Sequence, residues 1–355
     1  MKTTIGNSLI CLLLAASCSG LYEPGVARRL AAMPLPDQNH PGFLNVEATV
    51  SLYYEKAGSE KPGTTLVYVH GGPAMPPANM PAALKRLNGP VVFYHQRGCG
   101  RSTRPIDRFE DRSYYANMKT LDSRLGLSAQ LADIDRIRQS LGQERISLIG
   151  HSFGAFLAAL YAAEFPERVD RLVLLAPAGV LRMPPPDGGL YTQVRERLPE
   201  EARPDYDAYL KRFFDYGSIF EKSETELVAL NEGFIPYYER ATGKKAGPVA
   251  GAGGWAMHAV FFSMGQKADF RHLLQRVQAP TILIHGEDDL SPPESAADYR
   301  AISRLEFVRM AGAGHFLFEE RPDEFIRIVN AFLNRDLTKE IPKNSTAPPS
   351  DRDND

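Results

Sequence analysis

Cysteine is scarce in this chain: three in 355 residues, of which Cys11 and Cys18 fall close to the start. Cys99 alone stays in the body of the sequence, and one thiol closes no disulfide. Tryptophan occurs once, at Trp255. Charge of either sign is not in excess: 41 Lys and Arg stand against 43 Asp and Glu, a net −2, which excludes a basic nucleic-acid surface and a polyanionic tail. No Cys/His spacing of a metal site is present, so neither a metal nor another cofactor is expected. Past the N-terminus no stretch approaches the ~18 apolar residues of a membrane span, and no internal repeat is visible. What is left is an ordinary globular composition, 43% hydrophobic and 24% charged, with enough chain for one large domain or a domain carrying an insertion.

The first residues, MKTTIGNSLICLLLAASCSG, depart from that composition. Lys2 supplies a positive start, Leu9 to Ala16 form an apolar core, and small residues follow, which is the pattern of a secretory signal peptide. Its end, LLLAASC, resembles a bacterial lipobox, with Ala15 where such motifs usually carry Leu. That resemblance implies lipidation at Cys18 and a lipid-anchored protein of the cell envelope. Simple cleavage a few residues on implies a periplasmic or secreted one.

Beyond a Pro- and Gly-dotted lead, the chain alternates between strand and helix patterns. GFLNVEATVSLYYEKAG alternates apolar and polar positions, as a half-exposed strand or hairpin does. TTLVYVHGGP and PVVFYHQRGCGRS are strands ending in glycine turns. LSAQLADIDRIRQSLG puts Leu127, Leu131, Ile134, Ile137 and Leu141 on one helix face, with Ser128 as its N-cap. RLVLLAPAG, APTILIHGEDD and LEFVRMAGAGH are further strands, and RPDEFIRIVNAFLNR is a closing amphipathic helix. Such alternation predicts an α/β fold, a mostly parallel sheet with helices on both faces. From Val180 to Leu274 no strand-like run occurs, which reads as an inserted helical cap. The expected order is signal 1–18, lead 19–42, core 43–179, cap 180–274, core 275–336 and a disordered tail 337–355.

Within RISLIGHSFGAFLAALYAAEFP an apolar strand meets Gly-His-Ser-Phe-Gly and then an Ala- and Leu-rich helix. So tight a turn strains its central residue, and Gly150 and Gly154 leave room for the bend. The Ser152 hydroxyl is thereby held at the carboxyl end of the sheet, beside the free N–H groups of the new helix. Serine needs a base to take its proton, and the base needs a third group to orient it. Of the eight histidines, His70, His95 and His285 end strands, whereas His315 lies in a Gly-Ala-Gly-His loop after the last strand and is the expected base. His151 is expected to face away from the neighbouring hydroxyl. Chain order Ser, acid, His places the acid in HGEDDLSPP, at Asp289 with Asp288 as the alternative. The oxyanion donors expected are the backbone N–H groups of Phe153 and Gly72, with Gly71 as the alternative to Gly72.

With these pieces in place, residues 43 to 335 resemble an α/β-hydrolase. HGGP (70–73) followed by QRGCGRS (96–102) is similar to the proline iminopeptidase branch of serine peptidases. The resemblance implies removal of N-terminal residues, often proline, or cleavage of small amides and esters. In that branch the RGxGRS element is structural, which implies that Arg97 and Arg101 tie down their loop and that Cys99 packs. Three features depart from the branch. His95 stands where Asp usually precedes Gln-Arg-Gly, the elbow is Gly-His-Ser-Phe-Gly instead of Gly-Gly-Ser-Trp-Gly, and the cap's tryptophan–glutamate element is missing. Candidates for lining the pocket are Trp255, Phe261 and Phe262, and Glu232 or Glu239 could anchor a substrate ammonium. Two enzyme readings follow, an aminopeptidase acting on small molecules or short peptides and a carboxylesterase or lipase. A third class is a catalytically dead envelope binding protein. No nucleic-acid partner is expected, and membrane contact only through the lipid anchor.

Overall fold

The computed structural model describes residues 20–336, apart from 39, 59–62, 186–187 and 292. The signal-like segment with Cys18 and the tail 337–355 lie outside the described residues. Eight strands form one sheet: β1 (Phe43–Glu47), β2 (Val50–Gly58), β3 (Leu66–Val69), β4 (Pro90–Tyr94), β5 (Ile146–His151), β6 (Val169–Leu175), β7 (Thr281–Gly286) and β8 (Leu305–Met310). Their spatial order is β1-β2-β4-β3-β5-β6-β7-β8. The β1–β2 hairpin and the β2–β4 pair are antiparallel, and every other pair is parallel. Strands β3, β5 and β7 are buried along their whole length, which is why they read as continuous apolar runs.

Apolar side chains gather on both faces of the sheet. One cluster joins Val67, Leu148 and Leu174 to the helices Leu127–Ser140 and Phe153–Glu164; the other joins Tyr68, Ile149 and Ile284 to the closing helix Pro322–Leu333. The helix Phe153–Glu164 is buried at every position. At about 1.5–3 kcal/mol for each large apolar side chain removed from water, it anchors the elbow firmly in the core.

One local expectation is corrected. The helix after the first core strands starts at Leu127, so Ser128 lies inside it and caps nothing. Its first amide, Leu127 N–H, donates instead to Ser263 Oγ at 2.9 Å, a cap supplied by another helix. The polar face of that helix is not solvated: Asp133, Asp135, Arg136 and Arg138 are all buried. Arg97 is buried with them, paired through Nε with Asp133 at 2.6 Å and through a terminal nitrogen with Glu47 at 2.9 Å, and it donates to the Arg124 carbonyl at 3.0 Å. The loop after β4 is thus bolted to the core. Arg101 donates to Tyr53 Oη at 2.6 Å, and Cys99 is buried, its thiol held protonated by burial.

The lead also does more than its composition predicts. Residues Val26–Ala31 form a helix. Tyr22 Oη, Gly25 N–H and Arg28 Nε all donate to Glu164, strapping the segment to the elbow helix. The insertion is helical, from Gly189–Arg197 to Gly254–Met264, and has its own aromatic cluster of Tyr206, Tyr209, Phe213, Trp255 and Phe262. Its attachment uses Glu224, which accepts from Gly254 N–H at 2.9 Å and Trp255 N–H at 2.7 Å and pairs with Arg104. Among the described residues no helix is long and apolar enough to cross a membrane.

Candidate active site

The turn after β5 holds Ser152 at φ 56° and ψ −122°, a conformation non-glycine residues seldom adopt. Hydrogen bonds fix it there. Its N–H donates to the Leu175 carbonyl at 2.9 Å, and its carbonyl accepts from Ala155 N–H at 3.0 Å and Ala178 N–H at 3.1 Å. The flanking glycines are required by close approach. A Cβ on Gly150 would lie 2.5 Å from the Gly154 carbonyl oxygen, and one on Gly154 the same distance from that of His70. Across from the turn, a Cβ on Gly71 would lie 2.8 Å from Ser152 Cβ, so the loop after β3 closes directly over the serine.

Ser152 and His315 line one cleft of about 260 Å³, together with Gly71, Gly72 and His151. His315 is carried by the loop after β8, and its Nδ1 donates to Asp289 Oδ2 at 2.8 Å. Asp289 follows β7, is buried, and takes a second bond from Ser291 N–H at 3.1 Å. Burial works against the charged form of His315, but the Asp289 charge and hydrogen bond outweigh it, helped by the charge of Glu320, so its pKa lies above the ordinary value. For Asp289 burial pushes the carboxyl up, and the charge and hydrogen bond of His315 bring it below the usual range. Each group of the pair thus stabilises the charged form of the other. With Nδ1 committed to Asp289, Nε2 is the nitrogen left to exchange a proton with a group in the cleft.

Other histidines are occupied elsewhere. His70 is buried, accepts from Gln96 N–H at Nε2 (3.1 Å) and donates from Nδ1 to the Gly71 carbonyl (2.9 Å), with burial lowering its pKa to about 3. His95 accepts from Arg101 N–H at 3.0 Å, and burial lowers its pKa to about 4. The imidazole at the position where the branch carries Asp thus holds the same loop as a neutral ring. His151 also lines the cleft. Its Nε2–H donates to the His315 carbonyl at 2.9 Å, and burial lowers its pKa to about 3, so it braces the His315 loop as a neutral ring.

Phe153 begins the elbow helix, where an amide has no partner within the helix, and Gly72 lies on the cleft wall. The pocket-lining expectations in the cap are not met. Trp255 is fully buried, its indole N–H donating to the Asp107 carbonyl at 3.0 Å. Phe261 and Phe262 pack in the same aromatic cluster, away from the cleft wall. Glu232 accepts from Ala252 N–H at 3.0 Å. Glu239 is engaged by Lys245 and by Ala246 N–H, both at 2.9 Å. The wall is instead largely apolar, with Met75, Leu190, Phe234, Ile235, Tyr238 and Val249 among its residues. Among the described residues lining it, Glu319 is the one carboxylate.

A family model described as alpha/beta hydrolase fold matches residues 64–322. The chain belongs to the α/β-hydrolase family. Curated relatives of this hydrolase include a proline iminopeptidase of Heyndrickxia coagulans, 24% identical over 308 residues, covering 82% of this chain and 98% of the relative. Another, from Neisseria gonorrhoeae, is 26% identical over 328 residues, covering 83% and 97%. Among solved structures, the proline iminopeptidase of Mycobacterium smegmatis superposes with a TM-score of 0.53 at 20% identity, covering 81% of this chain and 95% of that one. A thermophilic esterase of Thermogutta terrifontis gives 0.52 at 21% identity, covering 80% and 93%. At these identities the structural likeness speaks for the fold.

Proposed function

We propose that this hydrolase is an exported serine enzyme that cleaves an amide or ester through an acyl-enzyme, most like a proline iminopeptidase-type aminopeptidase. The observation that carries this reading is the strained Ser152 turn sharing a cleft with His315, which is hydrogen-bonded to the buried Asp289 behind it. Ser152 Oγ attacks the substrate carbonyl as His315 Nε2 takes its proton, and the imidazolium so formed is stabilised by Asp289. The amides of Phe153 and Gly72 receive the oxyanion, at a helix start and in a glycine loop. The imidazolium then returns the proton to the leaving amine or alcohol, and water releases the acyl group by the same steps in reverse order.

The aminopeptidase reading is supported by the curated proline iminopeptidases over four-fifths of the chain. Its amine-binding carboxylate is Glu319, because Glu232 and Glu239 are engaged within the cap. A second reading, a carboxylesterase of small acyl esters, is favoured by the apolar wall of the cleft. Export rests on the signal-peptide pattern and lipidation on the Cys18 motif. Turnover of prolyl and alanyl naphthylamides compared with short-chain nitrophenyl esters, with Ser152→Ala as control, tests the assignment. Amide cleavage that requires a free amine supports the aminopeptidase, and ester turnover alone supports the esterase. Radiolabelled fatty acid incorporation, lost in Cys18→Ala, tests the anchor.

A further inference from the structure

The loop that carries His315 is held by one carboxylate. Glu320 Oε2 accepts from Gly314 N–H at 3.0 Å and Oε1 accepts from Phe316 N–H at 3.2 Å, so the two amides that bracket His315 converge on the same side chain. His151 holds the His315 carbonyl from the other side. Glu320 belongs to the core, in the helix Leu317–Glu320. Its remaining partner does not: Lys244 Nζ, which pairs with Glu320 Oε2, follows the cap helix Ile235–Thr242. The fit is tight, since a Cβ on Gly314 would lie 2.6 Å from Lys244 Nζ.

Lys244 stands at the head of a cap segment that forms one wall of the cleft through Ala246, Gly247, Pro248 and Val249. That segment is zipped to the loop after β3. Ala78 N–H donates to the Pro248 carbonyl at 2.8 Å and Ala250 N–H to that of Pro76 at 3.0 Å, around a Pro77–Val249 bridge. The same piece of cap that closes the cleft therefore delivers the ammonium that orients Glu320.

We propose that Lys244 and Glu320 form a latch through which the seated cap holds the His315 loop in its working position. Both are positioning residues. Lys244 fixes the carboxylate so that each oxygen meets one amide, and the carboxylate in turn sets the direction in which the imidazole leaves the loop. When the segment after Thr242 moves away, Glu320 loses its cation and the His315 loop loses its fixed orientation, so proton transfer from Ser152 is efficient only with the cap in place.

This inference rests on the serine-hydrolase reading and is tested with the full chain and a short-chain nitrophenyl ester. Lys244→Met, Lys244→Arg, Glu320→Gln and the Lys244→Met/Glu320→Gln double variant are compared, each after its thermal melt shows it folded. Lys244→Met and Glu320→Gln are each expected to lower kcat by about tenfold to a hundredfold with KM within about threefold, as displaced catalytic geometry does. Lys244→Arg is expected to keep most of kcat, because a guanidinium still donates to the carboxylate. The double variant is expected to be no slower than Glu320→Gln, because Lys244 acts through Glu320. Losses that multiply in the double variant, an unchanged kcat in Lys244→Met, or a loss confined to KM would overturn the latch. A parent protein with neither ester turnover nor fluorophosphonate labelling of Ser152 overturns the hydrolase reading itself, and the latch with it.

Discussion

Replacing Asp289 by Asn removes a charge while nearly preserving shape, which makes it a sharp probe of the site. The carboxylate is buried and 2.8 Å from His315 Nδ1, a charge-assisted bond worth about 1.5–3 kcal/mol before any catalytic role is counted. In the reaction its weight grows, because the imidazole gains a full positive charge when it takes the serine proton. An amide in its place also permits the wrong tautomer, with Nε2 protonated and unable to act as base, and such a change costs about 10⁴ in kcat in a comparable triad. The pH dependence has a definite sign. His315 is the base and works when neutral, so kcat/KM rises as pH climbs through its pKa, which Asp289 holds above the ordinary value against the opposing effect of burial. In Asp289→Asn that support is gone and burial prevails, so the acidic limb moves to lower pH. The assay is kcat/KM for a nitrophenyl ester across the acidic and neutral range in both proteins. A loss below about tenfold, or an acidic limb that stays in place, would refute the assignment of Asp289 as the partner of the base.

Three further outcomes are expected. Gly71→Ala sets a Cβ 2.8 Å from that of Ser152 and 2.9 Å from the His151 carbonyl oxygen, so fluorophosphonate labelling should slow by at least about tenfold. The thermal midpoint should fall by a few degrees at most, and labelling at the parent rate would contradict the close approach of the Gly71 loop to the serine turn. Arg97→Ala leaves Asp133 buried without its cation and should cost about 3–5 kcal/mol in urea unfolding, whereas a loss under about 1 kcal/mol would show that water reaches Asp133. Glu319→Gln should reduce kcat/KM for a free-amine naphthylamide by about tenfold or more while leaving a neutral ester within about twofold. Equal losses on both substrates would remove Glu319 from amine recognition.

The parts of this molecule that sequence reasoning reached are those encoded locally. The buried strands β3, β5 and β7 announce themselves as apolar runs, and the elbow needs its glycines within two residues of Ser152. His315 and Asp289 followed from their positions after the last two strands, and the structure joins them by a hydrogen bond across 26 residues. What escaped depends on partners distant in sequence. Ser263 caps the helix at Leu127 from 136 residues away, and no local pattern at Ser128 reveals that. Trp255 reads as a candidate for the pocket wall although core is the usual place for such a side chain, and the packing of Phe109 and Phe220 around it puts it in the core. Glu232 and Glu239 read as free cap acids until the backbone amides of Ala252 and Ala246 are seen to occupy them. The bracing of His315 by His151 and Glu320 was missed for the same reason: it runs through backbone atoms, which carry no sequence signal.

The proposed chemistry stands or falls with Ser152 as an activated nucleophile, and intact-mass analysis after treatment with a fluorophosphonate probes that most directly. One adduct per chain is expected, mapped to Ser152, absent in Ser152→Ala and strongly slowed in His315→Ala. An unmodified chain, or an adduct on another residue that persists in Ser152→Ala, would contradict it.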